Sequence, residues 1–336
     1  MSDKIPAGIN TTKGQFDYVF SPATQNALAD LLDIDYRQIS VEKSPEVTKR
    51  SVTGAKVIIS TWGALPYTSD LLDCCPDLEL VLYGAGSFKA YLSKELTDSD
   101  VKVCTAVHMN ALPVAEFTLG LILTSMKNVF RHSREFESDG RSGWKKSRPY
   151  SGGYYHTKVG LLGYGRITKF LLDLLTKFDF DVLVADDFVT ADELAVYGAQ
   201  KADVAEVMST CEVISIHHAD VERNWNIINK ETLALMKPGV RLINTSRGRM
   251  INEADLVEKL REGSITAFLD VTYPEPPADG HPFYELQNCI LTPHVAGSVG
   301  TEVFRMGDYC LRELTNWIEG KPLENQIDIG DLANRA

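Results

Sequence analysis

Residues 158–175 read KVGLLGYGRITKFLLDLL, and the fold of the chain turns on how this stretch is read. Gly163 and Gly165 supply the first two glycines of a G-x-G-x-x-G turn, with Thr168 where the third would stand. With 24 glycines in 336 residues, about 1.7 pairs at this spacing arise by chance, and the chain holds two, Gly84/Gly86 and Gly163/Gly165. The glycines alone therefore decide nothing; their surroundings do. The apolar run Lys158–Leu162 enters the second pair as a strand, and a helical run with Ile167, Phe170, Leu171 and Leu174 leaves it. DVLVAD follows, with Asp186 placed 21 positions after Gly165. In such a strand-turn-helix, Gly163 permits the tight turn, Gly165 lets backbone N–H groups approach a pyrophosphate, and the helix N-terminus favours its negative charge. Asp186 would accept hydrogen bonds from ribose hydroxyls and repel a 2′-phosphate. Asp187 adds a second negative charge and no Arg follows closely, so NAD is expected rather than NADP. Thr168 departs from the pattern: a β-branched residue is expected to push the helix outward and weaken cofactor binding.

Outward from this turn, short apolar runs alternate with longer amphipathic ones, the pattern of parallel sheets with helices on both faces. The class is α/β. FDYVF, KVIIS, LELVLY and VKVCT are the strand candidates of a first array, with a GAGS turn after the third. KVGLLG, DVLVAD, CEVISIH, VRLINT, ITAFLD and CILTP form a second. Between the arrays lie a long apolar helix candidate, LPVAEFTLGLILTSMKNVF, and a polar stretch, RHSREFESDGRSGWKKSRPYSGGYY, which shows no period and reads as an arm or boundary. TEVFRMGDYCLRELTNWIEG near the end is one amphipathic helix.

Composition is compatible with two cored domains: 44% of residues are hydrophobic and 24% charged. The net charge of −12 argues against a phosphate-backbone footprint and hence against nucleic acid as partner. MSDKIPAGIN lacks a signal-like apolar core, and the apolar run from Phe117 to Met126 reads as too short to span a bilayer. A soluble, cytoplasmic protein with no membrane partner is expected. The six cysteines form no C-x-x-C pair, so neither zinc nor disulfides are indicated.

Three later segments each end a strand with polar residues: LINTSRGRMINEADL, FLDVTYPEPP and ILTPHVAGS. Ligands of open α/β sheets sit at the carboxyl ends of strands, so Arg247, Glu275 and His294 can converge on one crevice. Reduction of a 2-keto acid needs an Arg for the carboxylate and the polarised carbonyl, a proton donor, and an acid that keeps the donor charged.

With these residues in view, the chain resembles the D-isomer-specific 2-hydroxyacid dehydrogenase family from about Val81 to the C-terminal helix. The likeness is most specific at Gly163–Arg166, Asp186, His217, Ile243–Arg249, Asp270–Pro276 and Thr292–Gly297. It implies that Arg247 binds the substrate carboxylate and carbonyl, that His294 exchanges the proton, and that Glu275 hydrogen-bonds the imidazole and raises its pKa. The cofactor residues it implies are Gly163, Gly165, Arg166, Ile167, Asp186, His217, Thr245, Asp270 and His294. It also implies a mid-chain nucleotide domain, residues 110–296, inserted in a substrate-binding domain of residues 1–109 and 297–336. Substrate would lie between the two, with closure over it. The backbone of Tyr83, Gly84, Ala85 and Gly86 would hold the substrate carboxylate, Asn110 would mark a hinge, and Trp62 could line the substrate side-chain pocket or simply pack in the core. Relatives pair through the nucleotide domain, so a homodimer is expected, with the helix from Leu112 and the arm 131–155 at the two-fold interface. Two departures stand out: His218 replaces an apolar residue after His217, and Trp225 falls near the expected rim. Glyoxylate, hydroxypyruvate or a larger 2-keto acid is favoured over phosphoglycerate. An NAD(H)-sensing protein of the corepressor kind, phosphoglycerate dehydrogenase and a degenerate family member are the alternatives. Glu275 argues against formate dehydrogenase, which carries Gln there.

Overall fold

A strand that alternates apolar residues across its two faces needs cover on both, and each sheet of this chain is covered in that way. The computed structural model describes residues 4–146 and 153–328. The chain divides into two compact units, Met1–Ala111 with Ser298–Ala336, and Leu112–Gly297.

The first unit holds five parallel strands, β1 (Ile5–Asn10), β2 (Leu32–Asp33), β3 (Val57–Ser60), β4 (Leu80–Tyr83) and β5 (Lys102–Thr105), in the order β2-β1-β3-β4-β5. Val57, Ile59, Leu80 and Leu82 face one core with Phe16, Phe20 and Leu314. Ile58, Val81 and Tyr83 face the other, with Tyr67 and Phe88. FDYVF is not a strand but part of the helix Lys13–Val19. Thr12 caps that helix on Gln15 N, and the buried residues Phe16, Val19 and Phe20 are spaced by three and four, leaving Tyr18 exposed. The true first strand is IPAGIN, whose Pro and Gly disguise it. The tail helix, Phe304–Ile318, buries Met306, Tyr309, Cys310 and Leu314 along one face in the first core.

The second unit holds β6 (Thr157–Leu162), β7 (Phe180–Ala185), β8 (Gln200–Lys201), β9 (Val213–Ile216), β10 (Arg241–Asn244), β11 (Thr266–Leu269) and β12 (Cys289–Leu291). All are parallel, in the order β12-β11-β10-β9-β6-β7-β8. β6 pairs with β7 on one side and β9 on the other, so the strand order reverses at β6, and the glycine turn that follows β6 opens on this switch point. β8, two residues long, was invisible to any period.

Two readings of the middle of the chain are corrected. The apolar helix runs over 20 residues, Val107–Met126, long and apolar enough to cross a membrane by length and composition. It extends well before Phe117, through Pro113; half of its most apolar window is buried within the protein, as in a core helix. The polar stretch read as an arm is helical over Val129–Asp139 and Arg141–Lys146. Arg131 and Glu135, one turn apart, pair at 2.7 Å, and Gly140 at φ +53 ends the first helix. Residues 147–152 of that stretch lie outside the described residues.

Candidate functional site

The turn after β6 is built from a backbone conformation that side chains resist. Gly163 sits at φ +101, and a Cβ added to it would lie 2.7 Å from His218 N and 2.9 Å from the His217 carbonyl carbon. Gly165 is the N-cap of the helix Arg166–Leu175, which has no side-chain cap, and an added Cβ at Gly165 would meet nothing within 4 Å. The helix start is thus uncapped and the space beside Gly165 is open, as the approach of an anion requires. Arg166 is exposed at the first helical position, and Ile167 packs against the core.

Thr168 is built into the turn. It is fully buried, and its Oγ1 donates to the Gly163 carbonyl at 2.7 Å. The hydroxyl ties the helix back to the turn, where the third glycine would only have left room.

Asp186, at the end of β7, accepts from Tyr164 N through Oδ2 at 2.9 Å, and from Phe188 N and Val189 N through Oδ1 at 2.8 and 3.3 Å. It thus joins the β7 loop to the glycine turn. A cation that sequence reading passed over lies near: the Arg223 guanidinium is 5.1 Å from the Phe188 ring centroid. Arg223 is far from Phe188 in sequence and meets it because β9 and β7 both lie next to β6, which spacing could not disclose.

His217 donates its backbone N–H to the Leu162 carbonyl at 2.7 Å, and both its ring nitrogens are buried without a partner. Burial pushes its imidazole down to about 3, with His218 adding to the effect, so it is neutral at physiological pH. His218 Nε2 is likewise buried and unpartnered; burial lowers this imidazole too, opposed by Asp186 and Asp187. Orphaned polar atoms of this kind, beside a glycine turn and an uncapped helix start, fit a dinucleotide held at the switch point.

The second cluster stands at the ends of β10, β11 and β12. His294 Nδ1 lies 2.6 Å from Glu275 Oε1, and both side chains are exposed by more than a third. His294 adopts φ +53, rare for a residue with a side chain. What holds it there is Asp270, 2% exposed, whose carboxylate accepts from Thr292 Oγ1 at 2.6 Å, Val295 N at 2.9 Å and Ala296 N at 2.9 Å. His294 N donates to the Asp270 carbonyl at 3.0 Å. The Asp270 carboxylate, a cofactor candidate from sequence, thus also braces the loop that carries the histidine. Arg247 is exposed, its Nη1 resting on its neighbour's carbonyl, Ser246 O, at 2.6 Å. Its backbone is set by Asn244, buried at the end of β10, which donates to Arg247 O at 2.9 Å and accepts from Ser246 N at 3.1 Å. Asn244 is a positioning residue the sequence reading missed; its signal was an Asn closing an otherwise apolar strand. Thr245 is buried, its hydroxyl 3.1 Å from that of Thr118. Gly248 binds the loops together: a Cβ there would lie 2.0 Å from the Thr272 carbonyl carbon.

In the first unit the candidates read differently. Tyr83 is 1% exposed, its ring 5.1 Å from that of Phe88, and Gly84 N already donates to Ser60 O at 2.8 Å. The Tyr83 side chain and the Gly84 amide are therefore committed to the core and the strand ends, which leaves Ala85 and Gly86 as the amides of that loop for a carboxylate. Asn110 Oδ1 accepts from Ser298 N at 2.9 Å. Trp62 is half-buried against both cores of its unit and follows β3, at the switch point beside β1.

A family model, D-isomer specific 2-hydroxyacid dehydrogenase, NAD binding domain, matches residues 119–296. The chain is 31% identical over 260 residues to the glyoxylate reductase of Thermofilum pendens, covering 75% of this chain and 76% of that one. It is 28% identical over 295 residues to the D-3-phosphoglycerate dehydrogenase of Bacillus subtilis, covering 84% of this chain and 55% of that one. The chain spans about half the length of the phosphoglycerate dehydrogenases it matches. Its fold is that of the D-mandelate dehydrogenase of Rhodotorula graminis, with a TM-score of 0.80, 19% identity, and 97% and 98% of the two chains covered.

Proposed function

The chain belongs to the D-isomer specific 2-hydroxyacid dehydrogenase family, and from that membership we propose that it interconverts a 2-keto acid and a D-2-hydroxy acid with NADH as cofactor. The observation that carries this reading is the 2.6 Å contact of His294 with Glu275, on a loop that Asp270 holds in a backbone conformation few histidines adopt.

Bound at the switch point, NADH supplies the hydride. The residues that would hold it are Gly163, Gly165, Arg166 and Ile167 at the pyrophosphate, Asp186 at the ribose, and His217 and Thr245 along the strand ends. Arg247 gives up its bond to Ser246 O and turns its guanidinium to the carboxylate and carbonyl oxygen of the keto acid. His294, its Nδ1–H donated to Glu275, delivers the Nε2 proton to the carbonyl oxygen as charge develops there. Glu275 stabilises the imidazolium beforehand and the loop of Asp270 fixes its direction. In the reverse direction His294 takes the hydroxyl proton. Ala85 and Gly86 are proposed as further carboxylate contacts and Trp62 as a side-chain contact.

NADH is preferred over NADPH because Asp186 stands where a 2′-phosphate would be repelled. Glyoxylate, hydroxypyruvate or a larger 2-keto acid is favoured over phosphoglycerate, a reading supported by the fuller mutual coverage with the glyoxylate reductase. Pairing of two copies through the second unit is supported by the helix Val129–Asp139, none of whose residues is buried and which leaves Val129 and Phe136 exposed. A cytoplasmic location completes the reading.

The test is loss of NADH absorbance with glyoxylate, hydroxypyruvate, pyruvate, phenylpyruvate, 2-ketoisocaproate and phosphohydroxypyruvate, repeated with NADPH. Turnover with one of the unphosphorylated acids and NADH bears the proposal out. Tight NADH binding with no turnover on any acid would replace it with the sensor reading.

A further inference from the structure

Beside the catalytic loops, three side chains outside the proposed machinery form a stack. The Arg249 guanidinium lies over two aromatic rings, 4.7 Å from the centroid of Trp225 and 4.3 Å from that of Tyr273, and its Nη2 donates to Tyr273 OH at 3.0 Å. The stack borders a cleft of about 350 Å³ with Asn226, Asn252 and Glu253 on its walls. The three residues come from the loops after β9, β10 and β11, and these loops are tied: Asn226 N donates to Arg249 O at 2.9 Å and Ile228 N to Met250 O at 3.0 Å.

A stacked guanidinium keeps its in-plane N–H donors available, and that is the arrangement in which Arg takes an oxyanion two-pronged. Among the described residues, no carboxylate forms an ion pair with Arg249. The acid of the cleft, Glu253, is engaged elsewhere: its Oε1 accepts from Tyr273 N at 2.8 Å and its Oε2 lies 3.6 Å from His281 Nε2. Burial raises its pKa, which weakens its claim on the arginine further. In a chain of net charge −12, a half-buried cation that pairs with none of the chain's own acids calls for an outside partner.

We propose that this cleft binds a small organic anion, whose carboxylate or phosphate group is taken by Arg249 while Trp225 and Tyr273 hold the guanidinium plane. Arg249 follows Arg247 by two residues and Tyr273 precedes Glu275 by two, with Gly248 wedged against Thr272 between them. A bound anion therefore bears on the catalytic loops and changes KM for the keto acid; this last step rests on the dehydrogenase reading, whereas the binding does not.

Binding is read by quenching of tryptophan fluorescence in the full chain, titrated with malonate as the carboxylate probe and inorganic phosphate as the phosphate probe, against chloride at equal ionic strength. At least one probe gives a saturable change at millimolar concentration or below, and Arg249→Gln raises its Kd at least tenfold. Arg249→Lys, which keeps the charge but not the plane, weakens it at least threefold. Trp225→Phe removes the optical signal but leaves the calorimetric Kd within threefold. NADH binding in each variant certifies the folded second unit, so failure here is separate from failure of the cofactor reading. No saturable change with either probe, or an unchanged midpoint in Arg249→Gln, would overturn the site. A KM that the saturating probe shifts in the wild type and leaves alone in Arg249→Gln supports the coupling; equal shifts in both overturn it.

Discussion

The chain carries the same G-x-G pair twice, each directly after a strand that neighbours a switch point, and the two pairs do different work. At Gly163 the obstacle to a side chain is backbone, His217 and His218, together with a positive φ; ahead of Gly165 lies open space and a helix start. At Gly84 the obstacles are the side chains of Val19 and Phe20, both at 3.2 Å, and at Gly86 the amide of Asn110 at 3.3 Å. Both of these glycines are buried. At the first pair the crowding is backbone and open space follows, whereas at the second the space a Cβ would need is taken by side chains of the same chain.

Substitution should separate the two roles most sharply at their first glycines. Gly163→Ala combines backbone strain with a backbone clash and is expected to weaken NADH binding by about thirtyfold or more. Gly84→Ala is expected to cost about 1–3 kcal/mol of stability through overpacking while leaving the NADH Kd within twofold. Fluorescence titration and urea denaturation of both variants decide it; equal loss of NADH affinity in the two would erase the distinction.

A smaller effect is expected at Asp186, the acid that belongs to the ligand-facing turn. Asp186→Ser should raise the ratio of kcat/KM for NADPH over NADH about tenfold, as a charge placed against the 2′-phosphate is removed and Arg223 is left nearby. A ratio that stays put would take discrimination away from Asp186. At Thr168 the hydroxyl, not the space, is the point. Thr168→Val should lose about 1 kcal/mol of stability, and Thr168→Gly more, with no gain in NADH affinity in either. Tighter binding by Thr168→Gly would restore the view that the side chain crowds the helix.

A further effect is one of pH. His217 has a folded pKa of about 3, below its ordinary 6.5, so between these values the unfolded chain binds the extra proton. Stability is then full above pH 6.5 and falls by up to about 1.4 kcal/mol per pH unit below it. His217→Phe should flatten that slope by its share when urea midpoints at pH 5 and pH 7 are compared; an unchanged difference would mean that the imidazole is not buried neutral.

What sequence disclosed divides along the same line as the glycines. Strands such as VGLL and VISI, buried on both faces, announce themselves as continuous apolar runs, so the second sheet was legible apart from the two residues of β8. IPAGIN was not, because Pro6 and Gly8 interrupt its apolar pattern, and FDYVF misled because two aromatics spaced by four mimic strand composition on a helix. The catalytic candidates were legible because each closes a strand with a polar residue. Asp270 was seen only as a cofactor candidate, since nothing linear shows that a carboxylate folds back on three donors of one loop. Arg223, Asn244 and the Trp225–Arg249–Tyr273 stack were missed, for they depend on which loops the strand order brings side by side.

The central claim is that His294 moves the proton. The most direct test is the rate of NADH-dependent reduction of glyoxylate and hydroxypyruvate by the wild type and by His294→Ala, with NADH affinity measured in the same samples. The account predicts a loss of about 10²–10⁴-fold in kcat with NADH affinity retained. Undiminished turnover in the variant would contradict it.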